Sequence, residues 1–128
     1  MSPAVQDLLA PESADQAGHL LAEDVIFRSP VRNYTGRPDV AHLLTTIGRC
    51  LSGISARREF IDKNRSVVEF TAYVGERGMD GVLAQLVDSD GLVCEATLLL
   101  RPLSALQEAI ANMAEMLTVD PLPSKRRF

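Results

Sequence analysis

The sequence predicts an α+β fold: a cone-shaped, curved antiparallel sheet wrapped around helices. Three observations carry this. The second half holds four runs of alternating apolar residues, parted by short stretches of turn residues. The first half shows helical apolar spacing on both sides of one strand. A long amphipathic run follows a proline at the end of the last strand. Helices segregated to one face of an antiparallel sheet make an α+β fold, and a sheet that wraps them leaves a cone with one open end.

In chain order, Ser2 and Pro3 read as a helix start, a cap followed by proline at the first helical position. Pro11 should end that short helix. A second helix begins after Ser13, its cap, and carries Ala17, Leu20 and Leu21 at helical spacing, with Gly18 a weak point. The stretch DVIFRSP, residues 24–30, follows as a strand that Pro30 must bend or stop. The next helix spans 37–51, with Val40, Leu43, Leu44, Ile47 and Leu51 as its apolar stripe, and Ser52 and Gly53 end it. Strands are expected at 54–62, 66–74, 79–88 and 92–101, separated by KNR, GERG and SDG. Such spacing makes an antiparallel meander. Pro102 closes the last strand, and residues 103–117 form a helix with Leu103, Leu106, Ile110, Met113 and Leu117 on one side. Met113 and Met116 read as gap-filling core. The expected layout is a single domain over 1–118 with a frayed tail over 119–128.

The 128 residues are 46% apolar, enough for a core that buries roughly two-thirds of the unfolded surface. The net charge of −4 argues against a nucleic-acid surface. The basic cluster KRRF at the end reads as solvated. Cys50 and Cys94 form no C-x-x-C pair, and His19 and His42 lie far from both, so neither a metal site nor another cofactor is expected. No basic-then-apolar leader opens the sequence, and no apolar run nears the roughly 18 residues of a membrane helix. A soluble protein in a reducing, cytoplasmic setting is the expectation, with no nucleic acid or membrane as partner.

Two stretches, LLAEDVIFRSPV followed by YTGRPDVAHLL, resemble the front half of the nuclear-transport-factor-2-like superfamily. VDSDGLVCEATLLLRPLSAL resembles the last hairpin of its SnoaL-like branch, including the arginine-proline exit. The resemblance covers residues 14–117 and implies the cystatin-like α+β barrel of that superfamily. It says little about function, because the fold hosts isomerases, cyclases, epoxide hydrolases and binding modules. Ketosteroid isomerases of this superfamily place an aspartate base just before the proline that ends the first strand; here Ser29 stands there. A serine hydroxyl without an adjacent base cannot shuttle a proton near neutral pH. Their protonated aspartate falls on Leu83, which cannot donate to an oxyanion, and their tyrosines fall near Leu44 and Val5. The SnoaL-like branch often carries an acidic residue where Leu83 stands, so its cyclase chemistry is weakened too. The resemblance also implies a symmetric homodimer through the outer sheet face, on which EFTAY presents Glu69, Thr71 and Tyr73.

The register follows from turn placement. A two-residue turn at Glu76 and Arg77 sets Phe70 opposite Leu83 and Val68 opposite Gln85. A turn at Ser89 and Asp90 sets Leu83 opposite Ala96 and Gln85 opposite Cys94. A bulge at Gly91 would instead put Glu95 and Thr97 inside. The first register is preferred because Cys94, Ala96, Leu98 and Leu100 are the more apolar set.

The expected ligand pocket is therefore Phe27, Leu43, Leu44, Phe70, Leu83, Ala96 and Leu98, trimmed by Ser29, Tyr34, Gln85 and Cys94. Ser29 and Glu69 are the candidate catalytic residues, both weak. Glu69 inside would be a base with a raised pKa, but the hairpin count turns it outward with Thr71 and Tyr73. His42 reads as a surface or rim residue, Arg28 as exterior, and Asp88 and Asp90 as the flanks of a turn. Three functions compete. The favoured one is a module that binds a small apolar molecule without ketosteroid-isomerase chemistry. The second is an enzyme, of isomerase, cyclase or epoxide hydrolase type, on a lipophilic polyketide- or steroid-like substrate. The third is a dimerising module whose interior is filled by its own side chains.

Overall fold

A computed structural model describes residues 3–126. Two short helices, α1 (Val5–Leu9) and α2 (Ala14–Leu20), precede strand β1 (Leu21–Arg28). Then come β2 (Asn33–Thr35), helix α3 (Arg37–Cys50), strands β3 (Ser52–Asp62), β4 (Arg65–Val74), β5 (Arg77–Val87) and β6 (Val93–Arg101), and helix α4 (Leu103–Val119). A 3₁₀ turn over Pro123–Lys125 closes the described chain. The six strands form one sheet in the order β2-β1-β6-β5-β4-β3. All neighbours are antiparallel except β1 and β6, which run parallel.

Local chemistry accounts for most boundaries. The Ser13 hydroxyl accepts the Gln16 N–H at 3.2 Å, the cap expected of it. Ser2 lies outside the described residues, and α1 starts after Ala4 without a side-chain cap. Proline at the start of α3 sets its first turn, and the Leu51 N–H closes it on Ile47. The strand β1 starts at Leu21, three residues before the expected Asp24, because α2 ends at Leu20. Sequence alternation did not reveal β2, a three-residue return that pairs Tyr34 with Phe27 across the Pro30 corner.

The meander is present, shifted by two residues from the expected register. Gly75 and Glu76, not Glu76 and Arg77, turn the β4–β5 hairpin, with Gly75 at a φ of +58°, in the left-handed region that favours glycine. Val68 therefore faces Leu83 and Phe70 faces Gly81, and Gln85 faces Ser66. On the other side Leu83 faces Leu98 and Gln85 faces Ala96. A shift of two keeps every side chain on its face, so Val68, Phe70, Leu83, Ala96 and Leu98 are still inside. Cys94 is the exception. A bulge after Leu86 pairs Val87 with Val93, and it is Val93 that is buried. Cys94 lies half-buried at the irregularity, its thiol directed to the Leu86 carbonyl at 3.4 Å.

All four helices pack on the sheet. Val5, Leu8 and Leu9 of α1, Leu43 and Leu44 of α3, and Phe27, Phe70, Leu83 and Leu98 of the sheet are all at most 2% exposed and belong to one cluster. The chain after α4 is also docked, against the expectation of a frayed tail. Leu122 joins the core cluster, and Ser124 bonds Asp39 of α3 through both its N–H and its hydroxyl. Burial of a leucine and two hydrogen bonds to a carboxylate offset the entropy of ordering this strap. Among the described residues, no helix is long and apolar enough to cross a membrane.

Candidate functional site

Helix α4 begins by burying small residues. Ala105 and Ala109 are at most 4% exposed, whereas Leu103, expected on the buried stripe, is 66% exposed. The larger residues of α4 stand beside a gap instead of filling the core. Leu106, Ile110, Met113 and Leu117 line one wall of a pocket of about 230 Å³, together with Ala109 and Ala114. Leu43, Ile47 and Cys50 of α3, with Leu51 just after it, line another, and Leu98 and Leu100 of β6 a third. The mouth is the β1–β2 turn, Ser29 to Arg32, with Tyr34.

This is not where the sequence places the pocket. Ser29, Tyr34, Leu43 and Leu98 do line it. Phe27, Leu44, Phe70, Leu83, Gln85 and Ala96 belong to the packed cone interior, each at most 3% exposed, and none lines this pocket, nor does Cys94. The deep part of the cone is filled by side chains because α1 inserts Val5, Leu8 and Leu9 there, which the alternation of the strands could not reveal. The signal for the pocket is in α4. Its apolar stripe mixes alanines with leucines, isoleucine and methionine, and of these only Ala105 and Ala109 are fully buried.

The polar groups near the pocket are few. The Ser29 hydroxyl donates to the Arg32 carbonyl at 2.8 Å and accepts the N–H groups of Val31 and Arg32 at 3.2 and 3.1 Å. Its donor and both its lone pairs are thus used by its own turn. Arg32 lies over the Tyr34 ring, 5.7 Å from its centre. Cys50 is a buried thiol 3.7 Å from the Met116 sulfur, and burial pushes its pKa up, keeping it neutral. No carboxylate or imidazole is among the described residues that line the pocket.

The remaining candidates lie elsewhere. Glu69 is on the outer sheet face, paired with Arg58 at 2.8 Å. Arg28 is also exterior, in an ion pair with Glu95. His42, expected at a rim, is buried at 9% exposure, its Nε2 2.8 Å from the Asp120 carbonyl oxygen. The strap after α4 covers it. Gln85 gives its amide N–H to the Pro3 carbonyl at 3.2 Å, and its buried oxygen has no partner among the described residues. Asp88 caps its own turn by accepting the N–H groups of Asp90 and Leu92. Among the described residues no cluster of three or more histidine, cysteine or acidic side chains could hold a metal.

No family model and no curated protein matches the sequence. Solved structures do resemble it. An uncharacterised protein with a cystatin-like fold from Silicibacter pomeroyi is 28% identical, with a TM-score of 0.84 over 90% of this chain and 83% of its own. A steroid delta-isomerase from Pseudomonas aeruginosa is 31% identical, with a TM-score of 0.79 over 84% of this chain and 81% of its own. A putative isomerase of the SnoaL-like family from Agrobacterium tumefaciens shares the fold at 11% identity, with a TM-score of 0.62 over 75% of this chain and 90% of its own. Taken with the curved six-stranded sheet and the helices in its concavity, these likenesses show that the chain belongs to the nuclear-transport-factor-2-like superfamily.

Proposed function

We propose that this protein binds a small apolar molecule between α3, α4 and β6, without ketosteroid-isomerase chemistry. The observation that carries this reading is the pocket itself: about 230 Å³ bounded mainly by leucine, isoleucine, methionine and alanine. An apolar space with a few polar groups at its mouth is the usual form of a small-molecule site, and this volume is below the roughly 300–1,000 Å³ of drug-sized sites. The occupant is therefore compact. The groups that isomerase chemistry requires are replaced by Ser29, committed to its turn, and by Leu83 and Leu44, each at most 1% exposed.

The neutral fluorophore N-phenyl-1-naphthylamine tests this. Saturable one-site binding is expected, together with its loss in Ala109→Phe, which fills the pocket. Non-saturable binding, or unchanged binding in that variant with the fold intact, overturns the reading. The 31% identity to the steroid delta-isomerase favours a second reading, an isomerase on a lipophilic substrate. A Δ5-3-ketosteroid assayed for its conjugated product decides between them, and no rate above buffer is expected.

The outer sheet face supports a homodimer. Phe60, Tyr73 and Leu99 are each more than half exposed there, a concentration of apolar surface that a second copy would cover. Light scattering on the intact chain and on Leu99→Lys tests it, with a dimer and then a monomer as the expected masses.

A further inference from the structure

The apolar pocket has a polar neighbour. A second hollow of about 360 Å³ lies between the β1–β2 turn and the strap after α4. The two share Arg32, Tyr34 and Leu117 as walls. Beyond those, the second hollow presents Asn33, Ser124 and Lys125. One boundary thus separates a leucine-lined space from one that carries two cations.

The charges there are unevenly used. Asp39 also lines the second hollow, but its carboxylate accepts both the N–H and the hydroxyl of Ser124. Arg32 has no carboxylate partner among the described residues. Its guanidinium lies over Tyr34, and its hydrogen bonds to Ser29 are made by its backbone. Lys125 likewise has no ion pair among the described residues. Most of the other arginines near acidic groups are paired, as Arg58 is with Glu69 and Arg77 with Glu108.

Resting on the reading of the pocket as a ligand site, we infer that its ligand is a compact monocarboxylate: an apolar body in the leucine-lined space and a carboxylate at the Arg32 end. An aromatic face beside the exposed Arg32 guanidinium restrains it in part, and its fork of donors matches a carboxylate. Lys125 adds a second positive charge to the same side. A neutral ligand of the same length would leave this pair of cations unused.

The test compares octanoate with 1-octanol as displacers of N-phenyl-1-naphthylamine from the full chain. Octanoate is expected to bind more tightly by on the order of 5-fold, the scale of a partly exposed ion pair. That ratio should fall toward one in Arg32→Gln and as ionic strength rises from 0.1 M to 1 M, where the screening length drops from about 10 to about 3 Å. It should hold in Arg49→Gln, an exposed arginine outside both hollows. If the fluorophore binds but octanoate is no better than octanol, or if Arg32→Gln keeps the ratio, the carboxylate inference is overturned while the apolar site stands. If the fluorophore itself does not bind saturably, the site reading and this inference both fail.

Discussion

The Ser29 hydroxyl closes on the Arg32 carbonyl at 2.8 Å and so latches the turn beside the pocket. The same turn carries Arg32 and leads into Tyr34 of β2, two of the three residues shared by both hollows. Removing the hydroxyl strips three hydrogen bonds from a half-exposed turn, where water can replace part of them. Ser29→Ala is expected to lower unfolding stability by about 1 kcal/mol, read by urea denaturation. A loss of less than a few tenths would mean that the hydroxyl does not hold this turn.

Phe70 and Gly81 form a second pair with a sharp requirement. They are cross-strand partners, and a Cβ on Gly81 would stand 2.2 Å from the Phe70 ring. Phe70 is 1% exposed within the core cluster. Gly81→Ala should therefore destabilise by about 1–3 kcal/mol through overpacking. Made in a Phe70→Leu background, the same change should cost less, and that coupling in a double-mutant cycle is the diagnostic result.

Gly48 sets two effects against each other. Alanine is the better helix former by about 1 kcal/mol, which favours substitution within α3. A Cβ there would lie 2.8 Å from the Ala10 α-carbon and 3.1 Å from the Leu9 carbonyl oxygen. Both are backbone atoms, which cannot swing aside as a flexible side chain would. Gly48→Ala is expected to give a net loss on the order of 1 kcal/mol, since overpacking outweighs propensity. A rise in Tm would show that α1 moves away freely.

Leu122 tests whether the strap is part of the fold. It is 8% exposed within the core cluster. Leu122→Ala should lower stability by about 2 kcal/mol. Amide exchange at Ser124 should speed up with it, because the Asp39 contact depends on the strap being seated. Unchanged exchange would separate the two contacts.

Cys50 reports on the pocket by pH. Burial raises its pKa above the ordinary 9.0. The folded thiol therefore keeps its proton where the unfolded thiol has lost it. Its contribution is fully present below pH 9, and stability falls as pH rises through the unfolded value and toward the folded one. In the native protein, Ellman's reagent should modify Cys50 at least about tenfold more slowly than in urea, in a variant with Cys94→Ser. Saturating octanol should slow it further, because Cys50 lines the pocket.

The strands and helices were legible because their causes are local. Alternation sorted Val68, Phe70 and Leu83 from Glu69 and Thr71, and a two-residue error in register left that sorting intact, since the side-chain period of a strand is also two. Glu69 and Arg28 were correctly turned outward by the same rule. The placement of Cys94 failed for the opposite reason. A bulge after Leu86 changes the period at one residue, and its placement depends on how β6 meets β1 and β5 together.

By itself, then, the sequence determined the fold class and the faces of the meander, because periodicity is written along the chain. Only the tertiary structure decided which apolar surface is filled and which is left open. Whether Leu98 faces a pocket while Leu83 is sealed depends on α1 plugging the cone and on alanines drawing the start of α4 close. Those are volume-matching choices between elements far apart in sequence, and no local pattern records them.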